Sequence, residues 1–570
     1  MVFLSEYTTL TVCLTSGVQS NLTAFNNYTA AWTRAYDADN RETGEYIGPT
    51  RIVAHSYDAA GQKGLLSTTT DTDGRVLSYA YTARNELASV SEAAGTTSYA
   101  YDAAGNQTHL YLPNGARTDQ YYNNNGTLDR YYNWDGQNAI YSSYGYGYNA
   151  DTQITGCNEA LNYAPYGSPN VSPTTYGYDS QGHLTGENRT GSSPNSQGYS
   201  YNGAGNLTNV SGVNPFTYDA DDEVTSVGGS NVFGLTYNAN GDRTGETING
   251  QATTFTYDFD DRLMSLTAGG TTMTYRYDAL GRQVSRSVNG ALTGFYLNGD
   301  QSLVEKGPTG GTTQYTWGNG LIRCNGEYPL TDGRGNVRLT LDGGRYLTSS
   351  NVPDAFGIGS FTSGTASVYQ WNGGVGYRTE GLAPTGLSVA YSFQKVGARY
   401  YDPTLKCFLT RDTELGQKPY AYCDGDPVNH VDPSGHSVLN ILLSSAGVSI
   451  GPFHLDGGFG IAVQFPGFGA NSFGFETYAT GNAGFGIGLG AAVSPYFGGV
   501  GFGKGNLNGF NGASAFGGIY ADPFGSLSYS RSLGGGYQGI QVGLPKAGLQ
   551  VGVYGGLGTT RRLFGGGGQF

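Results

Sequence analysis

The side chains with the most chemical capacity cluster between 411 and 435: Arg411 and Asp412 in FLTRD, Asp424 and Asp426 in CDGDP, and Asp432 in VDPSG. Two carboxyls brought together can hydrolyse a peptide bond. One, ionised, activates water; the other, protonated, donates to the carbonyl or the leaving nitrogen, and close approach drives their protonation apart. An arginine beside them can hold a carboxylate through a bidentate contact or stabilise charge on the tetrahedral intermediate. Asp-Pro and a nearby glycine are also ordinary turn chemistry, because proline fixes φ and aspartate caps the turn. On spacing alone the turn reading is the stronger, and His430 reads as structural or solvent-facing.

Elsewhere the chain is poor in catalytic groupings. Cys13, Cys157, Cys324, Cys407 and Cys423 contain no CxxC pair, so neither a zinc site nor a redox motif is expected; they read as buried free thiols, with Cys407 and Cys423 the one candidate pair. His454 and Asp456 lack a Cys or Ser partner nearby. No glycine run has the order of a phosphate-binding loop. Neither a cofactor nor a metal is expected. A net charge of -14 argues against nucleic acid as a partner of the bulk of the chain, since such proteins need basic surface.

The elements that must position these acids are strands. Among 570 residues, 94 Gly and 46 Tyr stand against 13% charged residues, a composition that favours strands and turns over helices. Self-similarity is plain in Tyr57-Asp58, Tyr101-Asp102, Tyr178-Asp179 and Tyr277-Asp278, each followed by a glycine in the pattern YDxxG, with weaker copies at Tyr122, Tyr148, Tyr201, Tyr218, Tyr237 and Tyr257. The spacing, about 20 residues, is that of stacked supersecondary units. Alternation over Thr272 to Tyr277, a turn over Asp278 to Gly281, and renewed alternation to Arg286 predict one hairpin per repeat. The aspartates read as turn formers. Calcium sites and a glycan-binding tyrosine surface are the weaker alternatives, the tyrosines being expected to pack across neighbouring hairpins.

These repeats resemble the YD repeats of the RHS (rearrangement hotspot) family over about Tyr36 to Gly299. The strings PLTDGRGNVRLTLD, GARYYDPTLKCFLTRD and KPYAYCDGDPVNHVDPSG resemble its repeat-associated core domain. The resemblance implies an all-β chain in which stacked hairpins spiral into a hollow shell, complete or partial. Its divisions are an N-terminal extension, 1–35; the shell, 36–299; the core ending in DPxG, 300–437; and a variable Gly-rich β domain, 438–570. It also implies an intramolecular aspartyl-type protease that cuts shortly after DPxG. Arg411 and Asp412 match the family's Arg-Asp pair, and Asp432, Pro433 and Gly435 its DPxG element, with Pro427 opening the same motif. Asp412 and Asp432 are the preferred acids and Asp424 and Asp426 the substitutes; the cut is expected near Leu439, Asn440 and Ile441. Two departures bear on this: Lys406-Cys407 replaces a common Gly-Arg, and Cys423-Asp424-Gly425-Asp426 replaces an Asn-rich turn. The implied partners are the chain's own C-terminal domain as cargo and an immunity or delivery protein.

After Val438 glycine alternates with apolar residues, the period of strands, and charge is too sparse for a nuclease. A soluble Gly-rich β domain is favoured over membrane-inserting hairpins. The first residues have no positive n-region, and no apolar run reaches membrane-helix length, so a secreted or cell-surface protein is expected without a recognisable signal peptide. Two functions compete: a toxin-like protein that encloses and releases its C-terminal domain, and a non-enzymatic surface scaffold or adhesin. Autoproteolysis separates them.

Overall fold

The structure is a computed structural model. It describes residues 24–26 and 31–436, with breaks at 59–62, 163–167, 212, 230–232, 249, 365–366, 383–390 and 414–417. Beyond these it describes the strands Leu439–Asn440, Phe459–Val463, Phe475–Gly488, Gly499–Lys504, Gly512–Ala521, Ser526–Ser532, Gln538–Gly543 and Val551–Phe564. The chain divides into two compact units. One holds the residues up to Arg411 with Tyr420–Gly435 and Asn440–Gly447; the other holds Asp412–Pro419, His436–Leu439 and Val448–Phe570.

The repeat can be explained one hairpin at a time. In most of these turns the aspartate's Oδ1 accepts two backbone amides, two and four residues on, as Asp102 does from Ala104 and Asn106 at 2.8 and 2.9 Å and Asp278 from Leu280 and Arg282, both at 2.9 Å; Asp58 accepts the Gly64 amide instead. The glycine amide closes the turn on the aspartate carbonyl, 3.0 Å at Gly281, where φ is 78° and a side chain would be strained. Where arginine ends the turn, its Nε donates to the second carboxylate oxygen, 2.7 Å at Arg262, which follows Asp261, and at Arg282, which follows Gly281. The aspartates are turn formers, as expected from the sequence.

The tyrosine has a different duty. A bulge falls just before it, as between Arg276 and Tyr277, and its hydroxyl donates to a carbonyl of the preceding hairpin: Tyr101 to Leu87 at 2.7 Å, Tyr178 to Ile154 at 2.7 Å, Tyr277 to Leu263 at 2.8 Å. Tyrosine thus ties each hairpin to the last while aspartate shapes its own turn, which is why the two residues travel together. Tyr277→Phe leaves the buried Leu263 carbonyl without its donor and is expected to cost about 1–2 kcal/mol, read as a lowered melting temperature.

In one turn a buried acid holds this position. Asp242 stands where Arg262 and Arg282 stand in later repeats; it is buried, accepts Asn238 Nδ2 at 2.8 Å, and lies beside Asp261, whose Oδ1 accepts Asn240 Nδ2 at 2.9 Å. Burial, with the Asp261 carboxyl adding to it, pushes Asp242 up to about 6. The folded chain therefore binds a proton that the unfolded chain gives up near pH 4, and the stability this supplies is lost as pH rises through about 6. Asp242→Asn is expected to raise stability by about 1–2 kcal/mol at pH 8, after allowance for solvent screening, and to change little at pH 4; melting temperatures at the two pH values check this.

Each strand from Ala24–Asn26 to Gly320–Cys324 pairs antiparallel with its chain neighbours, making a 29-stranded sheet. The hairpin stack is as expected, and it runs through Gln301–Lys306, Thr312–Gly318 and Gly320–Cys324. Among the described residues no strand pairing closes this sheet, so the closed shell that the resemblance implies is not part of the observed fold. Early and late repeats meet instead through side chains: Arg282 Nη2 lies 2.5 Å from Glu45 Oε1, and Arg75 donates to the Tyr315 carbonyl at 2.7 Å and Thr316 Oγ1 at 3.0 Å.

Two four-stranded sheets follow, one from Tyr328–Thr331 to Gly359–Gly364 and one from Arg378–Leu382 to Cys407–Phe408. Residues two before the repeat tyrosines pack on them: Tyr199 against Phe356, Phe255 against Phe393 and Tyr275 against Tyr400, with ring centroids 5.0, 5.9 and 5.3 Å apart. Such pairs add about 0.5–1.5 kcal/mol each beyond burial. The repeat sheet's hydrophobic core is thus built on the segment that carries the candidate acids.

Candidate functional site

Asp432 enters the site at the end of the short strand His430–Val431. Asp-Pro-Ser-Gly then folds as a turn, Gly435 N–H donating to the Asp432 carbonyl at 3.2 Å. A glycine is required: φ is 75°, and a Cβ there would lie 2.3 Å from the Val396 carbonyl oxygen. Ala398 N–H donates to the Ser434 carbonyl at 2.8 Å, so the turn is docked on the bend that joins Tyr391–Val396 to Arg399–Asp402.

The side chain of Asp432 is 3% exposed. Its Oδ2 faces Arg399 Nη2 at 3.7 Å, its Oδ1 accepts Ser434 Oγ at 3.1 Å, and its amide donates to the Tyr377 hydroxyl at 2.6 Å. Tyr377 and Tyr422 share a hydroxyl contact of 3.0 Å. The Arg399 guanidinium lies 3.6 Å over the Phe408 ring, and its Nε donates to the Gly435 carbonyl. One guanidinium therefore grips both the carboxylate and the backbone at the end of the turn. Beside it Cys423 is buried, and burial, reinforced by the Asp432 charge, holds its thiol well above the ordinary range. It is a poor nucleophile.

Arg411 is exposed, and among the described residues its side chain makes no ion pair. The arginine on Asp432 is Arg399, which sequence reasoning missed although it opens the RYYDP string. Asp412 belongs to the second unit. Its amide donates to the Pro419 carbonyl at 2.8 Å, and its carboxylate lies 3.1 Å from Nδ1 of His436. His436 was also missed; its signal was its place directly after DPSG.

The substitute acids have turn duties. Both oxygens of Asp426 accept Asn429 Nδ2 at 2.9 Å, and Asn429 in turn accepts the Ile154 amide at 2.8 Å and donates to the Tyr178 hydroxyl at 3.0 Å. His430 Nδ1 lies 3.5 Å from Asp426 Oδ2. Asp424 takes a left-handed conformation, φ 52°, in the short 3-10 turn Cys423–Gly425. The Pro427 carbonyl accepts Arg334 Nη2 at 3.1 Å, and Pro433 is exposed. Leu439 and Asn440 are described as a strand, while Ile441, His454 and Asp456 lie outside the described residues.

The departures from the family pattern are accommodated locally. Lys406 adopts φ 59° in the place of a common glycine, and Cys407 Sγ receives Arg243 Nη2 at 3.2 Å. Cys407 and Cys423 are free thiols, not a disulfide.

The Teneurin YD-shell family model matches residues 147–303 and the RHS Repeat model residues 85–118. Among solved structures, the crystal structure of TcdB2-TccC3-Cdc42 is similar at TM-score 0.52 and 14% identity, over 76% of this chain and 24% of that one. The crystal structure of TcdB2-TccC3 is similar at TM-score 0.52 and 14% identity, over 74% and 24%. At that identity the likeness is one of fold, and this chain spans about a quarter of those chains. No curated protein matches. No helix among the described residues is long and apolar enough to cross a membrane.

Proposed function

We propose, on the premise that this chain belongs to the RHS/YD-repeat family, that it is a secreted or surface-delivered toxin-like protein. Its repeat sheet is one part of a shell that carries the segment after Val438 as cargo, and its core cuts that segment free just beyond Gly435. The carrying observation is the Arg399 guanidinium, which holds both the buried Asp432 carboxylate and the Gly435 carbonyl immediately upstream of the expected cut. That contact fixes an acid and the retained backbone a few residues before the expected cut in one frame, the positioning a self-cleavage needs. Asp412 supplies the second carboxyl. Of the two, one ionised group removes a proton from water as it attacks the scissile carbonyl, and the other donates to the leaving nitrogen. The likeness to TcdB2-TccC3 supports a protein partner that completes or delivers the shell.

Intact mass of the purified full chain is the test. The expected result is a fragment beginning near Leu439 to Ile441, lost in Asp412→Asn and in Asp432→Asn while the far-UV spectrum is kept. A wild-type chain that stays whole under native conditions sinks the reading.

A second reading, a non-enzymatic adhesive scaffold, draws on an aromatic patch in the repeats. Tyr121 and Tyr111 are each 45% exposed, Tyr121 packs edge-on to Tyr132 at 5.9 Å, and Arg117 lies 4.9 Å over Trp134. That reading predicts a stable uncut chain that binds glycans or cells.

A further inference from the structure

The strands after Phe459 form a seven-stranded antiparallel sheet in which Val551–Phe564 lies between Phe475–Gly488 and Gly512–Ala521, followed outward by Ser526–Ser532, Gln538–Gly543 and Gly499–Lys504. Its register sorts the residues more sharply than the sequence does. Ile487, Val553, Ile519, Leu527, Val542 and Val500 are successive cross-strand partners, an unbroken aliphatic row on one face. The next row on that face has Phe485, Tyr529, Ile540 and Phe502, with glycine at Gly555 and Gly517. Between these two rows, on the other face, stand Gly486, Tyr554, Gly518, Ser528, Gln541 and Gly501.

Charge is sorted along the strands as well. The ionisable residues within them are Lys504, Arg531, Arg561, Arg562 and Glu476, four cations against one acid. Arg531 and Lys504 are both partners of Gln538, on the side of Leu557, and Arg561 and Arg562 pair with Ala479 and Tyr478 further the same way. Glu476 lies beyond them. Toward the opposite end, from the aliphatic row outward, the described strands hold no charged residue; Asp522 directly follows Ala521 in the sequence there.

We infer that this sheet is a membrane-active element whose uncharged end inserts into an anionic lipid bilayer while the basic rim stays at the headgroups. A face of aliphatic and aromatic residues opposite one mostly of glycine, serine and glutamine, with Tyr554 among them, is the alternation of strands that meet hydrocarbon on one side only. A water-exposed surface usually interleaves charge of both signs, and these three cross-strand rows hold none. The two 14-residue strands exceed the roughly 9–11 residues a membrane strand needs. The rim matches the charge of phosphatidylglycerol-type lipids and not that of a neutral surface.

The test does not depend on self-cleavage, because the full-length chain is diluted from concentrated urea into vesicles, and intact mass in parallel reports any cut. With vesicles of equal parts phosphatidylglycerol and phosphatidylcholine, the chain is expected to float. Proteinase K should then leave a protected piece that maps by mass to the C-terminal strands. Phosphatidylcholine alone should give about tenfold less, and Arg561→Glu with Arg562→Glu should remove most of that preference. Ile519→Asp with Val553→Asp should abolish protection, whereas Ser528→Asp, on the other face, should keep it. No protected piece on either vesicle, equal protection on the neutral one, or equal loss from charges on both faces each overturns the proposal.

Discussion

Arg243→Ala is expected to destabilise the first unit by about 3–5 kcal/mol, a larger loss than any single turn or tyrosine contact produces. Arg243 is fully buried, and its Nη1 holds Glu246 Oε2 at 2.9 Å and Asp402 Oδ2 at 2.8 Å. Asp402 comes from the RYYDP string, so this one cation joins a repeat strand to the core; the Arg243 amide adds a hydrogen bond to the Leu409 carbonyl at 2.9 Å. Truncation leaves two carboxylates in a desolvated pocket without a counter-charge. Their solvation is lost with nothing in return, which costs more than the intact pair contributes.

The pH dependence of that deficit is a sharper check than its size. Burial pushes Glu246 up to about 7 even with the arginine in place. Removing the cation raises it further, so in the variant the folded state takes up a proton that the unfolded chain releases near pH 4. The deficit of Arg243→Ala should therefore be greatest above pH 7 and shrink as pH falls toward 5. Melting temperatures of both chains at pH 5 and pH 8 give the comparison. A deficit independent of pH would mean that packing, not charge, is what the arginine supplies.

The parts of this molecule that were legible in the sequence are those whose causes are local. The YDxxG aspartate acts on amides two and four residues away, and alternation of Thr272 to Tyr277 is a property of one strand. The tyrosine bond is longer in range but recurs at every repeat, so its effect shows as spacing. Arg399 was not legible because its partner lies in a turn that only tertiary packing brings to it, while Arg411 drew attention by standing next to an aspartate. Likewise the glycine-rich alternation announced strands, but an alternating strand does not say which of its faces aligns with its neighbour's. That information resides in register, which set Ile487, Val553 and Ile519 in one row. That the open repeat sheet brings early and late repeats together was beyond sequence reasoning for a related reason: contacts such as Arg282 to Glu45 join repeats far apart in the chain.

Arg399→Ala is the other change with a large expected effect, and it separates positioning from stability. Three interactions go at once: the ion pair to Asp432, the hydrogen bond to the Gly435 carbonyl and the cation over Phe408. Taking the guanidinium from a buried carboxylate costs about 3–5 kcal/mol. If the core cuts the chain, freeing the DPSG turn should also slow the cut about 100-fold, the scale on which small misplacements of reacting groups act. Adding Asp432→Asn to Arg399→Ala removes the buried charge that lost its arginine, so the double variant should regain stability over Arg399→Ala alone and still fail to cut. Arg399→Lys keeps a cation but, as a point charge, cannot hold carboxylate and carbonyl together; it should retain more of the stability than of the cutting. A purely structural role for Arg399 predicts otherwise: cutting, followed by intact mass over time, would return in step with stability across the three variants.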